Sequence, residues 1–301
     1  MAEFKFGFEE SWFRLIIKNI PEHPDLFLPG SVEKAQDILR LGKLKVGAAR
    51  AWAEAAGIIC KQKGQFLLTS LGRLIARHDE YLEEDGIWWV IHYNLARQGS
   101  DAWFYSFYLN EFAPDTFHRD DFEQATRGHW DANHEKPMTD SVYKKLVYPP
   151  FKQLLLGTED SKGTRLGNKF GLLTEGEEKD TFVRAPFTAV PVPKAVFCFA
   201  LLDWSLQQKR TSVHLEKLLE PGGVGRIFRL EREALDSLLV TAGEEYQKEV
   251  CWISHTAGLN SVSIMQLPSL ALVSAYYHEL DGKDPMAALA SGKEDIELMQ
   301  G

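Results

Sequence analysis

Apolar positions follow helical spacing through the first quarter of the chain, broken at intervals by Pro and Gly. Phe4, Phe6, Phe8, Trp12, Phe13, Ile16 and Ile17 predict an arm or strand leading into a helix that reaches Ile20. Pro21, Pro24, Pro29 and Gly30 end it. Ser31 then stands where an N-cap belongs, ahead of a helix to about Leu41 with Val32, Ala35, Ile38 and Leu39 on one face. Gly42 closes that helix. A second runs from Leu44 to Ala56, striped by Val46, Ala49, Trp52, Ala53 and Ala56, and Gly57 supplies the left-handed stop. Ile58 to Cys60 and Phe66 to Leu68 read as strands around a turn at Gly64, and Thr69 or Ser70 caps a third helix through Arg77. Two close helices followed by a hairpin is the order of a winged helix-turn-helix, with Leu44 to Ala56 in the recognition position.

Beyond Arg77 the pattern changes. An acidic stretch, His78 to Asp85, precedes an apolar helix from Ile87 to about Leu95, and Ala102 to Phe112 is dense in aromatics. Helices follow around Arg119 to Arg127 and Ser141 to Leu156, the latter interrupted by Pro149-Pro150. The charged loop Thr158 to Gly167 marks a boundary. Next come a helix Lys194 to Gln207, a segment Val213 to Leu219, a Pro221-Gly222-Gly223 turn, a strand Arg226 to Leu230, a helix Glu233 to Leu239, and strands Val250 to Ile253 and Ser261 to Met265. Helix, helix and hairpin thus recur, which allows a second, degenerate winged module. The last thirty residues are weakly patterned and read as a final helix with a loose tail. The expected fold is mainly α with small β-hairpins: an arm and winged helix over 1–77, a helical acidic and aromatic region over 78–160, and an α+β part over 161–301.

Charge sharpens this picture. Between Ser31 and Arg77 stand nine basic residues (Lys34, Arg40, Lys43, Lys45, Arg50, Lys61, Lys63, Arg73, Arg77) against Glu33, Asp37 and Glu54, a local +6 in a chain of net charge −9. A basic surface on an acidic protein suits a polyanion, because Lys and Arg near phosphates release condensed counterions. The residues expected to touch DNA are Lys43, Lys45 and Arg50 on the recognition helix and Lys61 and Lys63 on the wing. The same face is also compatible with an acidic protein partner. Cys60, Cys198 and Cys251 are isolated, without metal-ligand spacing, which argues for a reducing compartment and against a disulfide scaffold. No apolar run reaches the roughly 18 residues of a membrane span, and the start lacks a secretory pattern, so the expected location is the cytoplasm.

The acidic block is the candidate catalytic centre. Asp79, Glu83, Glu84 and Asp85 with His92 are the candidate catalytic residues, and Asp79, Glu83 and Asp85 the candidate ligands of Mg or Mn, since phosphodiester cleavage needs an activated water and a stabilised leaving oxygen. The plainer alternative is a solvated helix start complementing the helix dipole. His118-Arg119-Asp120-Asp121 with His129, Asp131 and His134 matches no metal motif and reads as surface and capping residues. Pro221 to Arg226 lacks the Lys-Ser/Thr of a P-loop, so no nucleotide cofactor is expected and a hairpin turn is the better reading. The aromatics Trp103 to Phe112 suit core packing more than stacking on unpaired bases.

Several blocks carry a resemblance: Phe6-Gly7-Phe8 with Ser11-Trp12, Leu41-Gly42-Lys43 with Val46 and Ala51-Trp52, Ala56-Gly57-Ile58-Ile59, and Leu68-Thr69-Ser70-Leu71-Gly72. Further along stand Asp79 to Glu84 before Trp88 and His92, Gly225-Arg226-Ile227-Phe228-Arg229-Leu230, and Thr256-Ala257-Gly258-Leu259. Together they resemble the bacterial family called domain of unknown function 4007, whose members are similar to the B component of Ssp-type DNA phosphorothioation systems and to proteins of phage-defence loci. The resemblance implies a DNA nickase that lets partner proteins exchange a backbone oxygen for sulfur. It also implies those partners: double-stranded DNA, a P-loop ATPase, an ATP-pyrophosphatase-like sulfurtransferase and a cysteine desulfurase. The alternatives are a non-catalytic DNA-binding adaptor that recruits the ATPase, and a winged-helix transcription regulator, which would require paired half-sites.

Overall fold

The computed structural model describes residues 4, 6–156, 164–184, 190–256 and 259–300. Helix α1 (Glu10–Asn19) buries Trp12, Phe13, Ile16 and Ile17, as their spacing requires. Helices α2 (Val32–Leu39) and α3 (Lys43–Ala55) follow. Ser31 occupies the N-cap position of α2 but makes no side-chain cap bond. Arg40, with φ 53°, ends α2, and Gly42, expected to end it, is instead the extended residue that leads into α3. Strands β1 (Ile59–Gln62) and β2 (Gln65–Leu68) pair antiparallel around Lys63 and Gly64, both at positive φ (47° and 83°). Such a two-residue turn matches the twist of the flanking strands and favours glycine in its second place. Helix α4 (Ser70–His78) is capped by the Thr69 hydroxyl, which accepts the Gly72 N–H at 3.0 Å.

Helices α5 (Asp85–Ala96) and α6 (Trp103–Asn110) are buried on nearly every side, so neither shows a clean amphipathic period. The aromatic run is core: Phe104, Tyr105, Phe107, Tyr108 and Phe112 are all buried. Strand β3 (Thr116–His118) and helix α7 (Arg119–Asn133) precede a helical run of α8 (Asp140–Val142), a π-helical turn Tyr143–Val147, α9 (Tyr148–Phe151) and a second π-helical turn Lys152–Leu156. Pro149 and Pro150 remove two N–H donors from the middle of this run, and the wider turns flank them. The expected loop Thr158 to Gly167 falls mostly outside the described residues, as do Ala257 and Gly258.

After α10 (Arg165–Asn168), strands β4 (Leu173–Glu175) and β5 (Thr181–Arg184) join β3 in an antiparallel sheet of order β3-β5-β4. This sheet went unseen in the sequence, and it pairs strands from both sides of residue 160. The last third repeats the arrangement. Helix α11 (Lys194–Gln208), β6 (Ser212–His214), α12 (Leu215–Leu219), α13 (Val224–Ile227), α14 (Arg232–Glu245), β7 (Cys251–Thr256) and β8 (Leu259–Ile264) give a sheet of order β6-β8-β7. In both sheets the strand that precedes the helices pairs with the last strand of the later hairpin.

Arg226 to Leu230 is not a strand: the Leu230 N–H bonds the Gly225 carbonyl at 2.9 Å and Arg229 turns left-handed (φ 57°), so Ile227 and Phe228 are buried side by side. For the same reason the Pro221-Gly222-Gly223 turn opens a short helix rather than a hairpin. Nor is the end of the chain loose. Helices α15 (Leu270–Leu280) and α16 (Pro285–Gln300) pack together so closely that a Cβ at Gly292 would sit 2.1 Å from the Ala271 carbonyl oxygen. Its pattern looked weak because α15 is buried from Ala271 to Tyr277. One apolar cluster runs from Phe4 to Ile296, and among the described residues no helix is long and apolar enough to cross a membrane.

Candidate nucleic-acid interface

Helix α3 turns Val46, Ala48, Ala49, Ala51, Trp52 and Ala53 inward, and the Trp52 indole N–H bonds the Phe6 carbonyl at 2.7 Å, tying the N-terminal arm beneath it. The outer side carries Lys43, Gly47, Arg50 and Glu54 at helical spacing, with Leu44 exposed beside them. The hairpin is held to the loop before α2: the Phe66 N–H bonds the Pro24 carbonyl at 2.8 Å and Phe27 meets Phe66 edge-on.

Carboxylates from elsewhere neutralise part of the basic segment. Lys34 pairs with Asp25 at 2.8 Å, Lys45 with Glu9 at 2.9 Å and Arg77 with Asp295 at 2.9 Å, while Arg50 lies 3.7 Å from Glu54. Lys45 also sits over the Trp12 ring. Burial raises the Glu54 carboxyl above its usual range, with Arg50 opposing. Arg40, Lys43, Lys61, Lys63 and Arg73 have no carboxylate within 4.0 Å among the described residues. Of the five residues expected to touch DNA, Lys43, Lys61 and Lys63 are therefore exposed and unpaired by acids, whereas Lys45 and Arg50 are engaged within the fold.

The acidic block is built differently from a metal cradle. Asp79 is buried, and its two oxygens accept the N–H groups of Glu83 and Glu84 at 2.7 and 3.1 Å. Burial raises its carboxyl, with those two bonds opposing. Asp85 opens α5 and pairs with Arg165 at 3.1 Å and Lys169 at 2.6 Å. Glu84 receives the Tyr276 hydroxyl at 3.4 Å, and Glu83 points to solvent. His92 is fully buried between the Tyr105 hydroxyl (2.7 Å) and the Ile227 carbonyl (2.9 Å), and burial lowers it to about 4. Among the described residues, no three His, Cys, Asp or Glu are grouped so as to hold a metal. Among the described residues Asp79, Glu83 and Asp85 are not grouped for a metal: backbone N–H groups take Asp79, and Arg165 and Lys169 take Asp85. Asp79 and Asp85 are thus engaged within the fold, and His92 is fully buried. Arg165 and Lys169 carried no local signal in the sequence; only folding brings them to Asp85.

The second polar concentration is structural. His118 accepts the Asp120 N–H while Asp121 accepts the His118 N–H, a reciprocal cap on α7. His134 stacks on Trp130, and His129 pairs with Glu111 at 3.1 Å.

The profile of the family described as Protein of unknown function (DUF4007) matches residues 5–277. The chain belongs to this family. No curated protein matches it significantly. Among solved structures, this DUF4007 protein is similar to a magnesium ion-bound SspB crystal structure, at TM-score 0.78 and 19% identity, covering 100% of this chain and 96% of that one. A second SspB crystal structure aligns at TM-score 0.77 and 19% identity, covering 97% and 96%. At that identity the likeness establishes the fold.

Proposed function

We propose that this chain is the DNA-engaging subunit of a DNA phosphorothioation system, with α2, α3 and the β1–β2 hairpin acting as a winged helix on duplex DNA. The observation that carries the reading is the set of exposed cations without acidic partners at the start of α3 and along the hairpin: Lys43, Lys61 and Lys63. An exposed Lys at a helix start adds to the partial positive charge of that terminus, which suits a phosphate. The fold shared with SspB, and the family resemblance, support the assignment to such a system.

Fluorescence anisotropy with a duplex of mixed sequence, titrated at several salt concentrations, tests this. The triple substitution Lys43→Ala, Lys61→Ala, Lys63→Ala should lower the slope of log K against log salt by about 0.9 for each phosphate no longer neutralised. An unchanged slope would remove this surface from the interface.

The finer reading is that the chain nicks DNA, as the resemblance implies. It is supported by the fold shared with a magnesium-bound SspB. The commitment of Asp79 and Asp85 to bonds within the fold supports the adaptor reading instead. Supercoiled plasmid with Mg or Mn separates the two. Relaxed product supports scission by residues outside the acidic block. No relaxed product in either metal, with and without partner proteins, leaves an adaptor.

A further inference from the structure

Three arginines converge where β5, the α13 turn and the loop after α6 meet. Arg184 ends β5 and is 1% exposed. One of its terminal nitrogens, Nη2, donates to the Tyr108 and Phe112 carbonyls at 2.8 Å each, and the guanidinium lies 4.4 Å from the Tyr108 ring centroid. Its Nε and Nη1 have no hydrogen-bond partner among the described residues, nor do the buried Arg226 Nε and the Tyr108 hydroxyl. Arg226 and Arg229, on the α13 turn, each lie within electrostatic reach of Arg184. Burial, then the charge of Arg184, lowers both below the ordinary arginine value.

Among the described residues, the acid paired with this group is Asp115. It stands in the exposed stretch Ala113 to Thr116, is 78% exposed, and lies 3.5 Å from an Arg229 Nη2. That distance is well beyond the roughly 2.7–2.9 Å of a strong charge-assisted bond. Clustering cations in a partly dry site is unfavourable unless anions compensate them, and Asp115 is a loosely held surface carboxylate. Guanidinium groups present forked N–H donors that match oxyanion geometry. The site is also held in shape. His92 bonds the Ile227 carbonyl between the two turn arginines, Phe228 packs on Trp89 and Tyr93, and Arg229 is kept at φ 57°. A strained residue locked by its surroundings is where a ligand contact is to be sought.

We propose that Arg184, Arg226 and Arg229, with the Tyr108 hydroxyl, form a binding site for a phosphate-class oxyanion, and that Asp115 occupies its mouth when the anion is absent. The source of the phosphate is either the DNA backbone or a small phosphorylated molecule. The proposal stands on this geometry and does not depend on the winged-helix surface.

Thermal unfolding in inorganic phosphate, against sodium chloride at equal ionic strength, tests it with two variants. Wild type should gain roughly 2–4 °C in millimolar phosphate. Asp115→Asn, which removes the competing carboxylate at an exposed position, should reach the same gain at about fivefold lower phosphate. Arg226→Gln should lose the gain while keeping its helical circular dichroism. A phosphate effect no larger than that of chloride in both wild type and Asp115→Asn overturns the proposal, as does an undiminished effect in Arg226→Gln. A duplex that binds Arg226→Gln more weakly, and is displaced from wild type by phosphate, identifies the oxyanion as a backbone phosphate. Unchanged duplex binding beside an abolished phosphate effect identifies a small phosphorylated ligand.

Discussion

At His92 the neutral ring fits its surroundings and the charged ring does not. Nε2 faces the Ile227 carbonyl and so carries the proton, leaving Nδ1 to accept from the Tyr105 hydroxyl. Full burial lowers this ring from 6.5 to about 4. The sign follows from linkage: the unfolded chain takes up a proton below pH 6.5 while the folded chain does not, so stability is complete above that pH and falls toward pH 4. His92 should contribute a loss of about 2 kcal/mol between pH 7.5 and 5 in urea unfolding, so the pH dependence should be correspondingly smaller in His92→Gln. Equal pH dependence in the two proteins would count against this assignment. From sequence His92 read as a catalytic candidate because it follows an acidic block. Its true neighbours come from α6 and α13, and no local spacing reveals them.

Helix α3 shows why elements were easier to read than the roles of their side chains. Its stripe of Val46, Ala49, Trp52, Ala53 and Ala56 follows from periodicity alone, and Gly57 ends it with a positive φ of 75°. Whether a lysine on it meets DNA or an acid depends on what packs alongside. Lys45 and Lys43 are two residues apart, yet only Lys45 reaches Glu9 and Trp12, because only its side of the helix faces α1 and its lead-in. Lys43→Ala should therefore weaken duplex binding severalfold with little effect on stability. Lys45→Ala should cost about 0.5–1 kcal/mol of stability, a surface pair's share plus the packing of its stem on Trp12, with a smaller effect on binding. Anisotropy and urea unfolding on the same preparations decide it; the reverse pattern would reassign the two lysines. The hairpin was legible for a similar reason, since a turn with Gly64 between short apolar runs is a local signal. Strands β3, β4 and β5 were not legible: each is only three or four residues long, and each is defined by distant partners.

Across the whole molecule, the helices at the end of the chain hold the N-terminal module through Asp295. This carboxylate of α16 is 8% exposed and accepts from Ser274 at 2.6 Å, His278 at 3.0 Å and Arg77 of α4 at 2.9 Å. Burial pushes it up, but those three donors together hold it below its usual range. Asp295→Ala leaves the Ser274 and His278 donors without this acceptor and should destabilise the fold by about 2–3 kcal/mol. Hydrogen exchange should also quicken in α4. Unaltered α4 protection would mean that apolar packing against α15 alone seats the module.

Local order sufficed for helices such as α1 to α5, α7, α11 and α14, the β1–β2 hairpin and the charge contrast between residues 31–77 and the remainder, because periodicity, caps and turn residues act within a few positions of one another. Which charges remain available was settled only by folding. Glu9, Asp25 and Asp295 came from outside the basic segment to quench three of its cations, Arg165 and Lys169 took Asp85, and Arg184 came within electrostatic reach of Arg226 and Arg229. Electrostatic partnership depends on distance and burial in space, and neither is encoded in the spacing of residues along the chain.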